Sequence, residues 1–267
     1  MPVTDHLPPR PPLDHDRLSS LPAGDVPWVV EVVDQAPSTN ALVAARAREG
    51  AAEGLVVVAE HQTAGRGLLD RSWSTPARSA LTFSVLLRPE AEPAQWPWLP
   101  LLTGIAVVDA VGHGTRLKWP NDLLLGDHKL AGILVERIDT PAGAAAVVGI
   151  GLNVSTTRDE LPVPTATSLA VAGHQVDRTD LLVRALDELD RVYGTWVRSG
   201  HSTELLRTAY TRRCATVGQL VRVDLPSGES LTGTAVDVDL DGRLHVRSAG
   251  VTTVGGAVDV VHVRSAA

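Results

Sequence analysis

From Val29 onward, short apolar runs alternate with polar loops, and this pattern predicts a series of buried strands and helices. The runs at 29–33, 55–60 and 80–88 are rich in valine and leucine and are too short for typical helices. We therefore expect a strand at each of these three positions.

A second group of strands is predicted in the middle of the chain. Apolar stretches at 116–119, 123–137 and 145–154 follow one another with little polar sequence between them. Gly126 and Asp127 form a turn signal inside the second stretch, so this stretch is expected to fold into a hairpin.

Helical spacing of apolar residues appears in four segments. The first helix is expected after residues 37–40, with Ser38 or Thr39 as its N-cap and Gly50 at its end. The other three predicted helices cover residues 98–112, 178–200 and 202–213.

Both ends of the chain differ from this central region. Residues 1–27 hold several prolines and little periodicity, which predicts a flexible arm, poorly ordered unless it docks on the body. Residues 214–267 contain five short alternating runs separated by tight turns, which predict a small antiparallel barrel. The expected organisation is therefore an arm, a catalytic domain over 28–213 and a small β domain.

Composition narrows the class of protein. The single cysteine, Cys214, excludes an internal disulfide and a cysteine zinc cluster, and it favours the reducing cytoplasm. A formal charge of -7 opposes general affinity for nucleic acid. The sequence shows neither a secretory signal nor an apolar run long enough to span a membrane. An anionic ligand would therefore need a few locally placed cations.

Two candidate binding segments contain cations. In Gly65-Arg66-Gly67 the glycines allow backbone N–H groups to approach a ligand, and Arg66 can bind carboxylate or phosphate oxygens, although such a segment also fits a mobile surface loop. In the run KWPND, Asp122 can bind Mg²⁺ through oxygen, or it can cap a turn. As a five-residue run, KWPND favours a functional role.

Two further segments place small residues inside strands. The run KLAGILVE opens with Lys129, a position at which lysine commonly reaches solvent, but Ala131 and Gly132 leave room for a ligand beside it. The run GIGLNV ends near Asn153, whose amide suits either an adenine edge or a structural hydrogen bond. Glycines within strands often mark the close approach of a ligand or another backbone.

Together these segments resemble the biotin protein ligase family. The motifs PSTN, GRGxxxRxW, KWPND, KLAGILVE and GIGLNV stand in the family's order across residues 34–154. The resemblance implies an α+β fold, in which a mixed β-sheet catalytic domain flanked by helices, similar to class II synthetases, precedes a small C-terminal SH3-like β-barrel. It also implies an enzyme that forms biotinyl-AMP from biotin and ATP, with Mg²⁺, and transfers biotin to a lysine of a biotin carboxyl carrier domain.

The resemblance assigns site residues by their positions in the motifs. The catalytic residues it implies are Lys129, Arg66 and Asp122, with Asp122 also the metal ligand. The residues it implies for biotin or ATP binding are Ser38, Thr39, Asn40, Gln62, Gly65, Arg66, Gly67, Leu68, Arg71, Trp73, Asn121, Lys129, Gly132 and Asn153.

The implied roles differ along the bound molecule. Ser38, Thr39 and Gln62 would hydrogen-bond the ureido end of biotin, with Asn40 beside them, and the loop of Arg66 would close over biotin and phosphate.

The nucleotide end is assigned to residues from later motifs. Trp73 would stack on adenine, Asn121 and Asn153 would contact the nucleotide, and Arg71 would meet phosphate. Lys129 would lie between the biotin carboxylate and the α-phosphate, where a positive charge offsets the repulsion between two anions.

The glycine-rich loop departs from the family pattern. The family commonly has GRGRxGRxW, whereas this chain has GRGLLDRSW, so Leu68 replaces an arginine and Asp70 replaces a glycine. The departure affects how firmly the phosphate end of the adenylate is bound, and it leaves the predicted reaction class unchanged.

Three other functions are less compatible with the sequence. A lipoate or octanoate ligase shares the chemistry but lacks KWPND. A biotin-responsive repressor needs an N-terminal helix-turn-helix and a basic face, which residues 1–27 do not offer. A non-catalytic binding module does not need both Lys129 and Asp122. We therefore expect a monofunctional ligase, a monomer or weak homodimer, with neither nucleic acid nor membrane among its partners.

Overall fold

Two large β-sheets, a two-stranded hairpin and flanking helices are seen in a computed structural model, which describes residues 10–68, 72–225, 228–248, 250–254 and 259–262. Within these ranges the helices are α1 (His15–Leu18), α2 (Thr39–Arg48), α3 (Trp98–Val111), α4 (Arg178–Arg198) and α5 (Glu204–Arg213). The first strands are β1 (Val29–Ala36), β2 (Leu55–Gln62), β3 (Gly65–Arg66), β4 (Ser72–Trp73), β5 (Ala80–Leu87), β6 (Arg116–Lys118), β7 (Asp122–Leu125), β8 (His128–Thr140) and β9 (Gly143–Asn153). The remaining strands are β10 (Leu220–Asp224), β11 (Ser230–Val238), β12 (Leu244–Arg247), β13 (Val251–Val254) and β14 (Asp259–His262).

The large sheet has the strand order β1-β2-β5-β9-β8-β7-β6 within the described residues. The edge pair β1 and β2 is parallel and is joined through α2, whereas the other neighbouring pairs are antiparallel. The mixed sheet predicted from the sequence is therefore confirmed, and the fold is α+β.

One face of this sheet packs on α3. Side chains that alternate along the central strands, such as Phe83, Ile133 and Ile150, lie in the main core together with the helix. Almost every residue of α3 is buried, because the helix contacts the sheet on one side and α4 and α5 on the other. A helix that is apolar all round is typical of such an enclosed position.

The opposite face of the sheet is only partly covered, by α2. Val43 and Ala47 of this helix pack on Val57, Leu86 and Val147. The helix begins at Ser38, whose side chain accepts a hydrogen bond from the backbone N–H of Ala41 and so forms the predicted N-cap. The N-terminus of α2 therefore points over the uncovered part of this face.

Residues 10–27 pack against the body, which is the docked alternative of the arm expected from the sequence. Leu13, Leu18 and Val26 are buried in the main core, which supplies apolar anchors within a proline-rich segment. Residues 1–9 of the predicted arm lie outside the described residues.

The C-terminal strands form a five-stranded antiparallel sheet with the order β13-β12-β11-β10-β14. Val221, Val223 and Ala235 of this sheet join the same core as the large sheet. The indole N–H of Trp119 donates to the carbonyl of Gly242 at 3.0 Å, so the two sheets are also joined by a hydrogen bond. Among the described helices, none is long and apolar enough to cross a membrane.

Candidate active site

A patch of bare backbone lies on the face of the large sheet beyond α2. Gly132 of β8 pairs with Gly151 of β9, and Asp122 and Thr82 occupy the neighbouring strands in the same row. Because glycine has no side chain, Gly132 and Gly151 form a shallow floor between the polar residues Thr82 and Asp122.

Side chains from other elements lie directly on this floor. A Cβ atom placed on Gly149 would lie 2.1 Å from Oδ1 of Asn40, and one placed on Gly151 would lie 2.5 Å from the Trp73 indole. Only glycine fits at both positions, because the Asn40 and Trp73 side chains approach the backbone there too closely for a Cβ atom. The nearest atom to a Cβ on Gly132 is Nζ of Lys129 at 3.4 Å, so a side-chain carbon there would be in ordinary van der Waals contact.

One end of the patch carries a buried network of neutral polar groups. Oε1 of Gln62 accepts hydrogen bonds from the backbone N–H and the hydroxyl of Thr39, at 2.9 and 3.2 Å. Oγ of Ser84 lies 2.7 Å from the Thr39 hydroxyl and 2.6 Å from Oδ1 of Asn40. Gly65 lies against Gln62, since a Cβ there would be 2.0 Å from its Nε2. These groups suit a neutral ligand with both donors and acceptors.

Ser84 was missed by the sequence analysis. It lies in the apolar strand β5 and is fully buried. The available signal was its polarity within an apolar run, on the same strand face as Thr82.

Glu136 links this network to the glycine-rich loop. Nδ2 of Asn40 donates to one carboxylate oxygen at 2.7 Å, and Nη2 of Arg66 donates to the other at 2.8 Å. Glu136 closes the run KLAGILVE but was not among the site residues predicted from the sequence. Asn40 precedes Glu136 by 96 positions in the chain, and Arg66 precedes it by 70, so neither contact is visible within a single motif.

The other end of the patch is charged. Nζ of Lys129 lies 2.6 Å from Oδ1 of Asp122, in a pair whose side chains are 35% and 14% exposed. A bulge between β7 and β8 shifts the register beside Leu130, so Lys129 points to the same face as Gly132. Simple alternation would have placed Lys129 on the core face.

The residues predicted for the nucleotide are partly engaged in the fold. Nδ2 of Asn121 donates to the carbonyl of Ile133 at 2.8 Å, and Nδ2 of Asn153 donates to the carbonyl of Thr167 at 2.9 Å. These bonds fix the orientation of both amides and use one N–H of each. Nε1 of Trp73, whose ring lies over the floor, is buried without a hydrogen-bond partner in the described part of the chain.

The glycine-rich loop forms a short hairpin of β3 and β4. Leu68 faces a cavity of about 610 Å³ that is also lined by Trp119, Asn121, Leu134 and Gly242. The predicted phosphate contact Arg71 and the departure at Asp70 lie outside the described residues. Within the described part of the chain, the structure thus brings residues from all five motifs to one face of the sheet, among them Asn40, Trp73, Asp122, Lys129 and Gly151.

Similarity to known proteins decides the family. A model of the biotin/lipoate A/B protein ligase family matches residues 32–153. A biotin–[acetyl-CoA-carboxylase] ligase from Mycobacterium tuberculosis is 42% identical over 98% of this chain and 100% of its own length. The chain belongs to the biotin protein ligase family.

Other members of the family show the same relationship. A bifunctional ligase/repressor BirA from Bacillus spizizenii is 33% identical over 79% of this chain and 67% of its own length. The solved structure of the biotin protein ligase from Aquifex aeolicus, in complex with biotin and ATP, has a TM-score of 0.73 at 25% identity and covers 88% of this chain and 99% of that one. This agreement confirms the family resemblance seen in the five motifs.

Proposed function

We propose that the protein activates biotin with ATP to give biotinyl-AMP and then transfers biotin to a lysine of a biotin carboxyl carrier domain. The family membership supports this reaction, as do the names of two relatives that are biotin–[acetyl-CoA-carboxylase] ligases. One observation carries the proposal most directly: a neutral polar network, a floor of paired glycines and a charged pair follow one another across a single sheet face.

The order of these three zones matches the polarity of biotin. Its ureido group is neutral and both donates and accepts, its ring system is apolar, and its carboxylate is anionic. Ser84 lies on β5 and Asp122 on β7, three inter-strand spacings apart, or about 14 Å. That span accommodates a fused ring with a short acid chain, so Ser38, Thr39, Asn40 and Gln62 would hold the ureido end.

Positive charge is needed where the carboxylate meets the α-phosphate. Two unit charges 4 Å apart repel by about 4 kcal/mol at an effective dielectric constant near 20. Lys129 and Arg66 would offset that repulsion from fixed positions and would stabilise the charge that develops at phosphorus. The loop of Gly65, Gly67 and Leu68 would then limit the access of water to the mixed anhydride.

The nucleotide would occupy the side of the patch next to Trp73, Asn121 and Asn153, with Arg71 near phosphate. Trp73 offers an aromatic face where its ring lies over Gly151, and both asparagines keep acceptor oxygens that are suited to an adenine amine.

Magnesium would be bound together with the ATP phosphates. The described residues contain no cluster of three or more metal-binding side chains, but Asp122 is a single carboxylate at the charged end. Mg²⁺ commonly uses one or two carboxylates and takes its other ligands from phosphates and water. Asp122 therefore fits such a shared site, in which the ion would supply further positive charge.

Several finer features belong to this proposal. The five-stranded C-terminal sheet would be an SH3-like barrel, and the catalytic sheet would correspond to that of class II synthetases. The protein would act in the cytoplasm as a monomer or weak homodimer, on a biotin-dependent carboxylase and not on DNA. A net charge of -7 supports the last point.

The proposal is tested by incubating the protein with ATP, Mg²⁺, labelled biotin and a carrier domain. Release of AMP and labelling of one carrier lysine are expected. If lipoate is transferred and biotin is ignored under the same conditions, the protein is a lipoate ligase instead.

A further inference from the structure

The proline-rich N-terminal segment is bonded to a loop that leads to the nucleotide side of the site. Nη1 and Nη2 of Arg10 contact Oε1 and Oε2 of Glu160 at 3.1 and 2.5 Å. Nη2 also donates to the carbonyl of Ser155 at 3.0 Å. The side chains of Arg10 and Glu160 are only 14% and 22% exposed, so this two-pronged pair is shielded from solvent.

Glu160 in turn shapes the loop that it belongs to. Its Oε2 accepts a hydrogen bond from the backbone N–H of Thr157 at 2.9 Å, which closes a capping box around a short 3₁₀ turn. The hydrogen bond from Arg10 lowers the pKa of Glu160, with a smaller contribution from Thr157. The carboxylate is thus held charged between the N-terminal segment and the loop.

Residues 155–169, here named the bridging loop, are connected to each other across their length. Oγ of Ser168 donates to the carbonyl of Thr156 at 2.6 Å. Nη1 of Arg158 donates to the carbonyl of Ala166 at 3.2 Å. The first half of the bridging loop, which Arg10 holds, therefore supports the second half.

The second half of the bridging loop pairs with the residues proposed to meet ATP. The backbone N–H of Lys129 donates to the carbonyl of Thr165, and Lys129 accepts from the N–H of Thr167, both at 2.8 Å. The carbonyl of Thr167 also accepts from Nδ2 of Asn153. A displacement of the loop would therefore move the backbone of Lys129 and the amide of Asn153 together.

A buried ion pair keeps the N-terminal segment in place. Arg178 and Glu60 are 2.7 Å apart, with both side chains 5% exposed. Arg178 donates to the carbonyl of Pro11 at 2.6 Å, and Glu60 accepts from the N–H of Leu13 at 2.7 Å. Because breaking bonds to buried charged groups is costly, the position of Arg10 is well defined.

We propose that Arg10 is a positioning residue for the ATP side of the active site. It acts through the bridging loop, which aligns Lys129 and Asn153, and it touches neither biotin nor the reacting atoms. The inference rests on the proposed function. It makes the segment around Arg10, which the proline content predicted to be a flexible arm unless docked, part of the working enzyme.

The test compares Arg10→Ala with Arg17→Ala. Arg17 lies in the same segment and also forms an ion pair, with Asp180, but both partners are about half exposed and this pair does not involve the bridging loop. In Arg10→Ala the KM for ATP should rise about tenfold, the ratio that corresponds to the loss of one charge-assisted contact. The dissociation constant for biotin alone should stay within about twofold. Arg17→Ala should behave as wild type.

A second pair of variants keeps the test valid if Arg10→Ala does not fold. Arg10→Lys retains the charge and should recover part of the ATP affinity. Glu160→Gln keeps an acceptor for Thr157 and should raise the KM for ATP in the same direction by a smaller factor. Melting curves for each variant separate global unfolding from local misalignment.

The outcomes distinguish this inference from the proposed function. If the wild type neither binds biotin nor labels a carrier domain, the proposed function fails. If the wild type is active and Arg10→Ala and Glu160→Gln have its KM for ATP, Arg10 is not a positioning residue. An equal loss for biotin and ATP would mean that Arg10 supports the whole fold, and that result also overturns the inference.

Discussion

Nζ of Lys129 lies 2.6 Å from Oδ1 of Asp122, and both groups face the floor formed by Gly132. The lysine is thus held at one end of the sheet patch by a carboxylate. This carboxylate is itself largely buried, with only 14% of its side chain exposed, so the ammonium has a fixed direction before an anion arrives. A preorganised charge of this kind stabilises a transition state without a cost of reorganisation during the reaction.

Lys129→Ala should reduce adenylate formation by about two powers of ten or more, on the order of 3 kcal/mol, as for other preorganised electrostatic groups. Stopped-flow or quench-flow measurement of biotinyl-AMP formation isolates this first step. Transfer from externally supplied biotinyl-AMP serves as the control and should be less affected. Adenylate formation near the wild-type rate would contradict the role of Lys129.

The bridge from Asn40 through Glu136 to Arg66 predicts a second effect. Glu136→Ala should speed the release of biotinyl-AMP, because Arg66 loses the partner that places its guanidinium. Since the Arg66 side chain is 54% exposed, the effect should be modest, about 0.2–1 kcal/mol in the coupling between the two residues. A double-mutant cycle with Arg66→Ala measures that coupling.

Glu31→Ala is the matched control for this cycle. Glu31 also accepts from an arginine, Arg46, on the surface at the other end of α2. The Glu31→Ala substitution should leave the rate of biotinyl-AMP release unchanged. Strict additivity of the Glu136 and Arg66 substitutions would show that their contact has no functional coupling.

Substitutions at Gly149 and at Gly132 are expected to behave differently. Gly149→Ala places a Cβ atom 2.1 Å from Oδ1 of Asn40, so the buried network around Thr39 must shift. We expect a lower melting temperature and at least about tenfold weaker biotin binding, since one or more buried hydrogen bonds are lost.

Gly132→Ala is the comparison, because its Cβ would meet no atom closer than 3.4 Å. Its melting temperature should stay near that of the wild type. Calorimetric titration of biotin and a thermal melt test both variants. Unchanged biotin binding in Gly149→Ala would show that the network around Thr39 does not bind the ureido group.

Much of the fold could be predicted from local patterns. Apolar runs placed the strands of the large sheet, and Ser38 was one of two expected N-caps. The side on which Lys129 lies depends on a bulge beside Leu130, which alternation does not reveal. The bond between Arg10 and Glu160 joins positions 150 residues apart, so the docking of the N-terminal segment was not visible in the sequence. Ser84 and Glu136 were missed because their partners belong to other motifs.

The departure at Leu68 gives a further prediction. Leu68 is 36% exposed and faces the cavity that Asn121 also lines. The family pattern has an arginine at the position of Leu68. An arginine contact to phosphate contributes roughly 1.5–3 kcal/mol, so its absence should speed adenylate release by about one to two powers of ten. We propose that this chain holds biotinyl-AMP less tightly than relatives with that arginine.

Leu68→Arg combined with Asp70→Gly tests the loose hold. Each protein is loaded with labelled biotin and ATP, and release is followed after a chase with unlabelled biotin. Slower release from the double variant is expected. Equal or faster release would mean that apolar contacts of Leu68 already replace the arginine.

The central claim is that this sheet face binds biotin and activates it with ATP for transfer to a carrier lysine. The most direct measurement follows labelled biotin and, in parallel, labelled lipoate into a purified carrier domain with ATP and Mg²⁺, using wild type and Lys129→Ala. We predict ATP-dependent labelling of one carrier lysine by biotin, release of AMP, and strong loss of both in the variant. Transfer of lipoate without biotin, or biotin labelling that is unaffected by Lys129→Ala, would contradict the claim.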